Sequence, residues 1–307
     1  MADLSRTRAR RWLLPASGWD RDALNRALYR IGWRIGPHLG RRTRDVLAAA
    51  GGAIAARRGG RHVDQWRHNI ELATGIAPDA RLSSAGMRSY LRTFLEVLAL
   101  PGWSAERTIR TVCLDPAAER ILRDAAAGPG VVVALPHLAN WDLAGAWACA
   151  TGLPVSSVAE QLGDPEFRAF LAFREGLGMR IRSNLQPRLI EHLVADVREG
   201  RLVCLIADRD LLGTGVDVTW PNSGGGRPAR LPAGPAVVAR RTGAVLLAGA
   251  CHYTPIGMRI ELSAPIEHRD GRAGLVAMVQ DCADFFAAAV AAHPADWHVL
   301  QPFFPER

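Results

Sequence analysis

The chain has 307 residues, enough for one large α/β domain or two smaller ones. Hydrophobic residues make up 49% and charged residues 22%, a balance that excludes disorder and collagen-like repeats. No lysine occurs, so all 38 basic residues are arginine, and a Walker lysine, a Schiff-base lysine and a lysine general base are excluded together. The formal charge of +8 is uneven: residues 1–70 hold fifteen Arg against five Asp and no Glu, while the rest of the chain carries a net −2. The five cysteines (Cys113, Cys149, Cys204, Cys251, Cys282) are scattered and never in CxxC or CxxH spacing. That argues against disulfides and structural zinc, and no metal ligand set or bound cofactor is expected. No apolar stretch of signal-peptide or membrane-spanning length is evident, so the expectation is a cytosolic protein that touches a membrane.

In chain order, residues 20–36 read as an amphipathic helix. Leu24, Leu28, Ile31 and Ile35 form an apolar stripe at helical period, flanked by Arg26, Arg30 and Arg34. With Tyr29, Trp33 and the clusters Arg41-Arg42-Arg44 and Arg57-Arg58-Arg61, this helix suits the interface of an anionic membrane better than a nucleic acid. A helical hairpin follows, ending in Met87–Leu100, where Met87, Tyr90, Leu91, Phe94, Leu95 and Leu98 make a broad apolar face. After Pro116 the pattern alternates. Strand-like runs (131–135, 155–158, 202–206, 244–250, 258–262) interleave with helical ones (141–150, 165–177, 186–198, 233–242), and a long apolar helix covers 274–292. This predicts an α/β fold: a central sheet flanked by helices behind an N-terminal helical hairpin, with residues 1–115 as a basic, membrane-associating region and 116–307 as the core.

The candidate site lies at Leu135-Pro136-His137-Leu138-Ala139-Asn140-Trp141-Asp142. A proline ends the strand, and a histidine follows at the carboxyl edge, where open α/β sheets bind ligands. His137 and Asp142 are five residues apart and do not share a helix face. They can pair only if His137 lies in the turn and Asp142 in the first helical turn. A carboxylate that fixes the imidazole tautomer leaves the other ring nitrogen to take a proton from a hydroxyl. Backbone N–H groups at the start of the following helix are candidates for an oxyanion site. The glycine run Asn222–Arg227 lacks phosphate-loop spacing and reads as a loop, with Arg227 and Arg230 beside it as candidates for a phosphate. No G-x-S-x-G elbow occurs, which argues against a serine hydrolase.

Pro-His-x-x-Asn-Trp-Asp after a buried strand resembles the H-x4-D block of glycerolipid acyltransferases, in the form carried by the lipid A and phosphatidylinositol mannoside acyltransferases. Val158-Ala159-Glu160 with Phe173-Arg174-Glu175-Gly176 is similar to that superfamily's second block, and Ala207-Asp208-Arg209-Asp210 to its third. Arg230-Leu231-Pro232-Ala233-Gly234-Pro235 and the ending Asp296-Trp297-His298-Val299-Leu300-Gln301-Pro302 continue the likeness. The resemblance implies transfer of a fatty acyl chain from acyl-CoA, as co-substrate, to a hydroxyl of a glycolipid acceptor, a mannose of a phosphatidylinositol mannoside. The runner-up is a lauroyl-type transfer to another lipid or lipid-like product. It also implies His137 as general base, Asp142 or Asp208 as its partner, and Glu160, Arg174, Arg209 and Asp210 around the substrates. The implied location is the cytoplasmic face of the membrane, with no nucleic-acid partner.

Overall fold

A computed structural model describes residues 31–160, 165–210 and 213–305. Leu24, Arg26, Leu28, Tyr29 and Arg30 of the expected amphipathic helix lie outside these residues. Its last turn is helical at residues 31–35 and leads into a 3-10 turn, Gly36–His38. Trp33 packs on Phe173, with ring centroids 5.1 Å apart, while Ile31 and Ile35 are 51% and 48% exposed.

Three helices follow where a hairpin was expected: α1 (Arg41–Arg58), α2 (Arg61–Thr74) and α3 (Ala80–Ala99). Asp79 caps α3 by accepting the Leu82 amide. The face that α3 buries also departs from the apolar stripe read in the sequence. Met87 is buried, but so are Ser83, Ser89, Thr93 and Glu96, whereas Phe94 is 46% exposed. Gly52 explains the close approach of α1, because a Cβ there would meet the Arg88 backbone at 2.5 Å.

Beyond α4 (Ala105–Thr111) the chain enters a seven-stranded sheet. Its strands are β1 (Val112–Leu114), β2 (Val131–Leu135), β3 (Val155–Ala159), β4 (Arg180–Ser183), β5 (Leu202–Ile206), β8 (Val245–Tyr253) and β9 (Met258–Leu262). They lie in the order β1-β9-β8-β2-β5-β3-β4. Every pairing is parallel except β8 with β9. The strand β2 is buried on both faces, which is why it reads as an unbroken apolar run. Helices α5 (Pro116–Ala127), α6 (Trp141–Ala150), α7 (Pro165–Gly176), α8 (Leu189–Arg198), α9 (Gly234–Thr242) and α10 (Gly271–Ala292) complete the α/β architecture. At 22 residues α10 is long and apolar enough to cross a bilayer, contrary to the sequence reading. Its Met278, Ala283, Phe286 and Val290 are nevertheless fully buried, the pattern of a core helix.

The segment read as a glycine loop is instead the turn of an antiparallel hairpin, β6 (Val216–Trp220) with β7 (Arg227–Leu231). Asn222 Oδ1 accepts the Gly224 and Gly226 amides, and Gly225 and Gly226 take φ of 95° and 98°. Asn222 and Ser223 also donate to the Leu72 and Thr74 carbonyls, which docks the turn on the end of α2. The N-terminal helices are likewise tied to the C-terminal segment: the Trp66 indole donates to Trp297 O, and Asn69 donates to Val299 O and Gln301 O. No gap separates the two regions expected to meet at residue 115, and β1 joins the sheet from the N-terminal side of it.

Candidate active site

The carboxyl ends of the adjacent parallel strands β2, β5 and β3 bring His137, Asp208 and Glu160 to one edge of the sheet. His137 Nδ1 stands 2.5 Å from Asp208 Oδ1, and its backbone N–H donates to Asp208 Oδ2 at 2.8 Å. The Trp297 indole donates to Oδ2 at 3.0 Å. Asp208 is fully buried, and burial alone would raise its carboxyl; the His137 charge, the His137 hydrogen bonds and Trp297 outweigh it and hold the group below its ordinary range. An ionised Asp208 only accepts, so in the neutral form of the imidazole the proton is held on Nδ1 and Nε2 carries the lone pair. With its side chain 21% exposed, His137 remains reachable from solvent.

Asp142 does not face His137. The α6 N-cap, Asn140, accepts the Leu143 amide and starts the helix. Asp142 in the first turn then projects to Arg174 of α7, which grips it at 2.6 Å and 3.2 Å. Of the two partners left open by the sequence, the structure places Asp208 on His137 and gives Asp142 to Arg174. Arg174, expected beside the substrates, is in this pair a clamp between α6 and α7, with its side chain 11% exposed and that of Asp142 4%. Both residues line an apolar cavity of about 70 Å³, with Leu135, Trp141, Ala144 and Met179 among its walls. Trp141 meets the His137 ring edge-on at 5.2 Å, so the cavity's wall begins beside the base.

Arg209 is half-buried and sits within the fields of Asp208 and Glu160; burial lowers its guanidinium and those two charges oppose the shift. Asp210 organises the loop after β5 by accepting the Thr214 and Gly215 amides. Arg230 is engaged by Asp217 at 3.2 Å and by Asp210 at 4.0 Å and donates to Gly215 O, which braces that loop. Arg227 opens β7 opposite Trp220. The glycine turn beside it offers no phosphate cradle, since Asn222 already takes its amides.

Several residues that hold the site carried no functional reading in the sequence. Ala139, buried between His137 and α6, adopts φ 48°, a sparsely populated region for a non-glycine. Its N–H donates to Asp296 O, its carbonyl accepts from Thr93, and His298 N donates to His137 O. Asn140 Nδ2 donates to Glu96, which also pairs with Arg92 and accepts from Tyr253. The Asp296 carboxylate accepts from Ser89 Oγ at 2.6 Å and from the Tyr253 amide. Ser89 spends its one proton there, so His298 Nε2 donates to Ser89 and His298 Nδ1 keeps a lone pair. Burial, with repulsion from His137 second, pushes His298 down to about 3. The signal that could have found this helix face is the polar set Ser89, Thr93 and Glu96 at spacings of four and three. By contrast, Cys204, Cys251 and Cys282 are pushed up to about 12 by burial and are inert core groups.

A sequence profile of the bacterial lipid A biosynthesis acyltransferases matches residues 16–305. The chain belongs to that family. It is 37% identical over 260 residues to a phosphatidylinositol mannoside acyltransferase of Mycobacterium tuberculosis (strain CDC 1551 / Oshkosh), covering 82% of this chain and 79% of the relative. A phosphatidylinositol mannoside acyltransferase of Mycolicibacterium smegmatis is 34% identical over 284 residues, 89% of each chain. The protein is therefore an acyltransferase of this family, with the α/β fold and helical N-terminal region described above.

Proposed function

We propose that this acyltransferase moves a fatty acyl chain from acyl-CoA to a mannose hydroxyl of a phosphatidylinositol mannoside. The observation that carries the reading is a histidine with its tautomer fixed by a buried carboxylate, standing at the wall of an apolar cavity. The apolar lining of the cavity, with Leu135, Ala144 and Met179 in its walls, suits an alkyl chain. The names of the two mycobacterial relatives support the acceptor. In the proposed reaction the acceptor hydroxyl oxygen attacks the thioester carbonyl carbon while His137 Nε2 takes the hydroxyl proton. The tetrahedral oxyanion faces the Trp141 and Asp142 amides at the start of α6, since the cap Asn140 already takes that of Leu143. Collapse breaks the C–S bond, the thiolate leaves, and His137 returns its proton to sulfur. Arg209 and Glu160 border this edge and are the side chains we assign to the polar part of the substrates.

The reading extends to a peripheral position on the cytoplasmic face of the membrane. Support comes from the net charge of residues 1–70 and from exposed apolar side chains on the same part of the chain, Ile31, Ile35, Val46, Leu47 and Ile54. The test incubates the protein with radiolabelled acyl-CoA and total actinobacterial lipids and identifies the labelled product. Labelled phosphatidylinositol mannoside is expected from the wild type, and His137→Ala should lower turnover by about 10²–10⁴-fold with folding unchanged. Label in another lipid would replace the acceptor, and a His137→Ala variant near the wild-type rate would refute the base.

A further inference from the structure

We propose that His252, Glu261 and His293 form a binding site for one divalent, zinc-like cation that fastens the end of α10 to the β8–β9 edge. The site lies outside the His137–Asp208 pair, and the family's activity does not call for it. His252 is on β8 opposite Arg259, and Glu261 is two residues along β9, so His252 and Glu261 share a face of the sheet. His293 caps the carboxyl end of α10 and stacks on His252, ring centroids 3.7 Å apart and planes 11° from parallel. One donor atom from each of the three residues lies within 4.8 Å of the others.

A second observation points to a ligand there. His252 is 8% exposed, and its Nδ1 is buried without a hydrogen-bond partner while facing Glu261 Oε1 at 3.7 Å. A buried nitrogen left unpaired costs about 1–3 kcal/mol, and an ion between it and the carboxylate removes that cost. Two imidazoles and one carboxylate are the donor set of three-ligand zinc sites, with the fourth position left to water. Metal–ligand bonds of about 2.0–2.2 Å place tetrahedral donors roughly 3.3–3.6 Å apart, so the His252–Glu261 pair, at 3.7 Å, is within a few tenths of an ångström of the required separation. Stacked rings cannot both aim a lone pair at one ion, so binding requires one ring to turn. His293 is the partner with room to do so, being half-buried and at a helix end.

Placement gives the ion a consequence. His293 begins the strap that runs through the 3-10 turn Pro294–Asp296 to Trp297 and His298. That strap carries the Asp296 carbonyl that holds Ala139, the indole that holds Asp208, and the amide that holds the His137 carbonyl. Pinning its start to the sheet acts on the active site by positioning, without contact with substrate.

The test uses the full chain, stripped with a chelator and titrated with zinc chloride alone by calorimetry, beside His293→Ala and Glu261→Gln. Both substitutions fall at half-buried or exposed positions, so the fold should persist, which circular dichroism checks. The wild type should bind one equivalent, at least tenfold more tightly than either variant. At a hundredfold excess over its Kd, zinc should raise the wild-type Tm by roughly 5 °C. At the same zinc concentration either variant should show at most about half that rise. Cobalt in place of zinc should give the visible absorption of a four-coordinate ion in the wild type alone. Absence of stoichiometric binding would overturn the proposal. Equal binding and an equal Tm rise in wild type and variants would also overturn it, by placing the ion on other histidines.

Discussion

Replacing Asp208 by Asn tests the dyad with the least change in shape. The wild-type carboxylate accepts three hydrogen bonds: the His137 backbone N–H, His137 Nδ1–H and the Trp297 indole N–H. An amide has one accepting oxygen and one donating nitrogen. The His137 amide and the Trp297 indole share Oδ2, so the amide oxygen stays on that side and the amide nitrogen presents N–H to Nδ1. The imidazole would then be forced to carry its proton on Nε2, the nitrogen that must be bare to act as base. Loss of tautomer control of this kind costs up to about 10⁴-fold in kcat, or roughly 5.4 kcal/mol at 1.36 kcal/mol per decade. Removing the charge also removes what favours the imidazolium formed during transfer. The assay is turnover of radiolabelled acyl-CoA at saturating donor and acceptor, with circular dichroism as the folding control. We expect Asp208→Asn to lose about 10³–10⁴-fold in kcat with little change in KM. A loss smaller than about tenfold in a folded variant would refute the claim that Asp208 sets the tautomer of His137.

The remaining predictions separate holding from chemistry. Asp142→Asn replaces the ionised partner of Arg174 by a neutral amide and weakens the two charge-assisted hydrogen bonds between them, so stability should fall by about 1–3 kcal/mol, read as a lower denaturation midpoint; an unchanged midpoint would show that the clamp is dispensable. His298 titrates at about 3 when folded against roughly 6.5 unfolded, so the unfolded state alone takes up its proton between those values and stability declines as pH falls through that window, by roughly 1.4 kcal/mol per unit. Denaturant titrations from about pH 6.5 to about pH 5 should therefore show a slope smaller by about one proton in His298→Asn than in the wild type, and equal slopes would contradict the buried neutral imidazole. Replacing Ile31 and Ile35 together by Ser removes two half-exposed apolar side chains worth about 1 kcal/mol each at an interface, so binding to anionic vesicles should weaken roughly thirtyfold in cosedimentation; unaltered binding would show that this face does not meet the lipid.

Much of the sheet was legible because β2 and β5 are unbroken apolar runs and α6 is bounded by its own cap and turn. His137 and Asp208 were each visible as polar residues released at the end of such a run. That they touch was not visible, because it depends on β2 and β5 being neighbours, and Leu135↔Ile206 registers them across the 71 residues that separate the two side chains in sequence. Asp142 looked the nearer partner in sequence, but helix phase turns it to Arg174. The strands that went unread lack a clean apolar run. β1 is only three residues long, and β7 carries Pro228 between arginines. β4 alternates Arg180 and Arg182, whose charges are taken by the buried Asp196. In β6, Val216, Val218 and Trp220 do alternate at period two, but the run is short and stands beside a glycine run, so the pattern alone assigns it no element. The inward face of α3 was hidden because Tyr90, Leu91 and Phe94 make the more hydrophobic side, while the buried side spends Ser89, Thr93 and Glu96 on fixed partners.

Those partners explain how a short turn is held ready for chemistry. Between His137 and Asn140 the backbone must leave a strand, pass through φ 48° at Ala139 and enter a helix. Such a conformation costs on the order of 1–3 kcal/mol and persists only where its surroundings over-determine it. Here three separate parts of the chain do so. The end of β5 supplies Asp208 to both the ring and the backbone of His137, α3 supplies Thr93 to Ala139 and Glu96 to Asn140, and the strap supplies Asp296 O, the His298 amide and the Trp297 indole. Each contact fixes an atom that the reaction would otherwise have to organise: the tautomer, the aim of the imidazole, or the first turn of α6. A base fixed in advance does not spend substrate-binding energy on its own ordering. The corollary is that damage to Glu96 or Trp297, neither of which needs to meet substrate, should appear mainly in kcat, whereas loss of cavity wall around Ala144 and Met179 should appear mainly in the KM for the acyl donor.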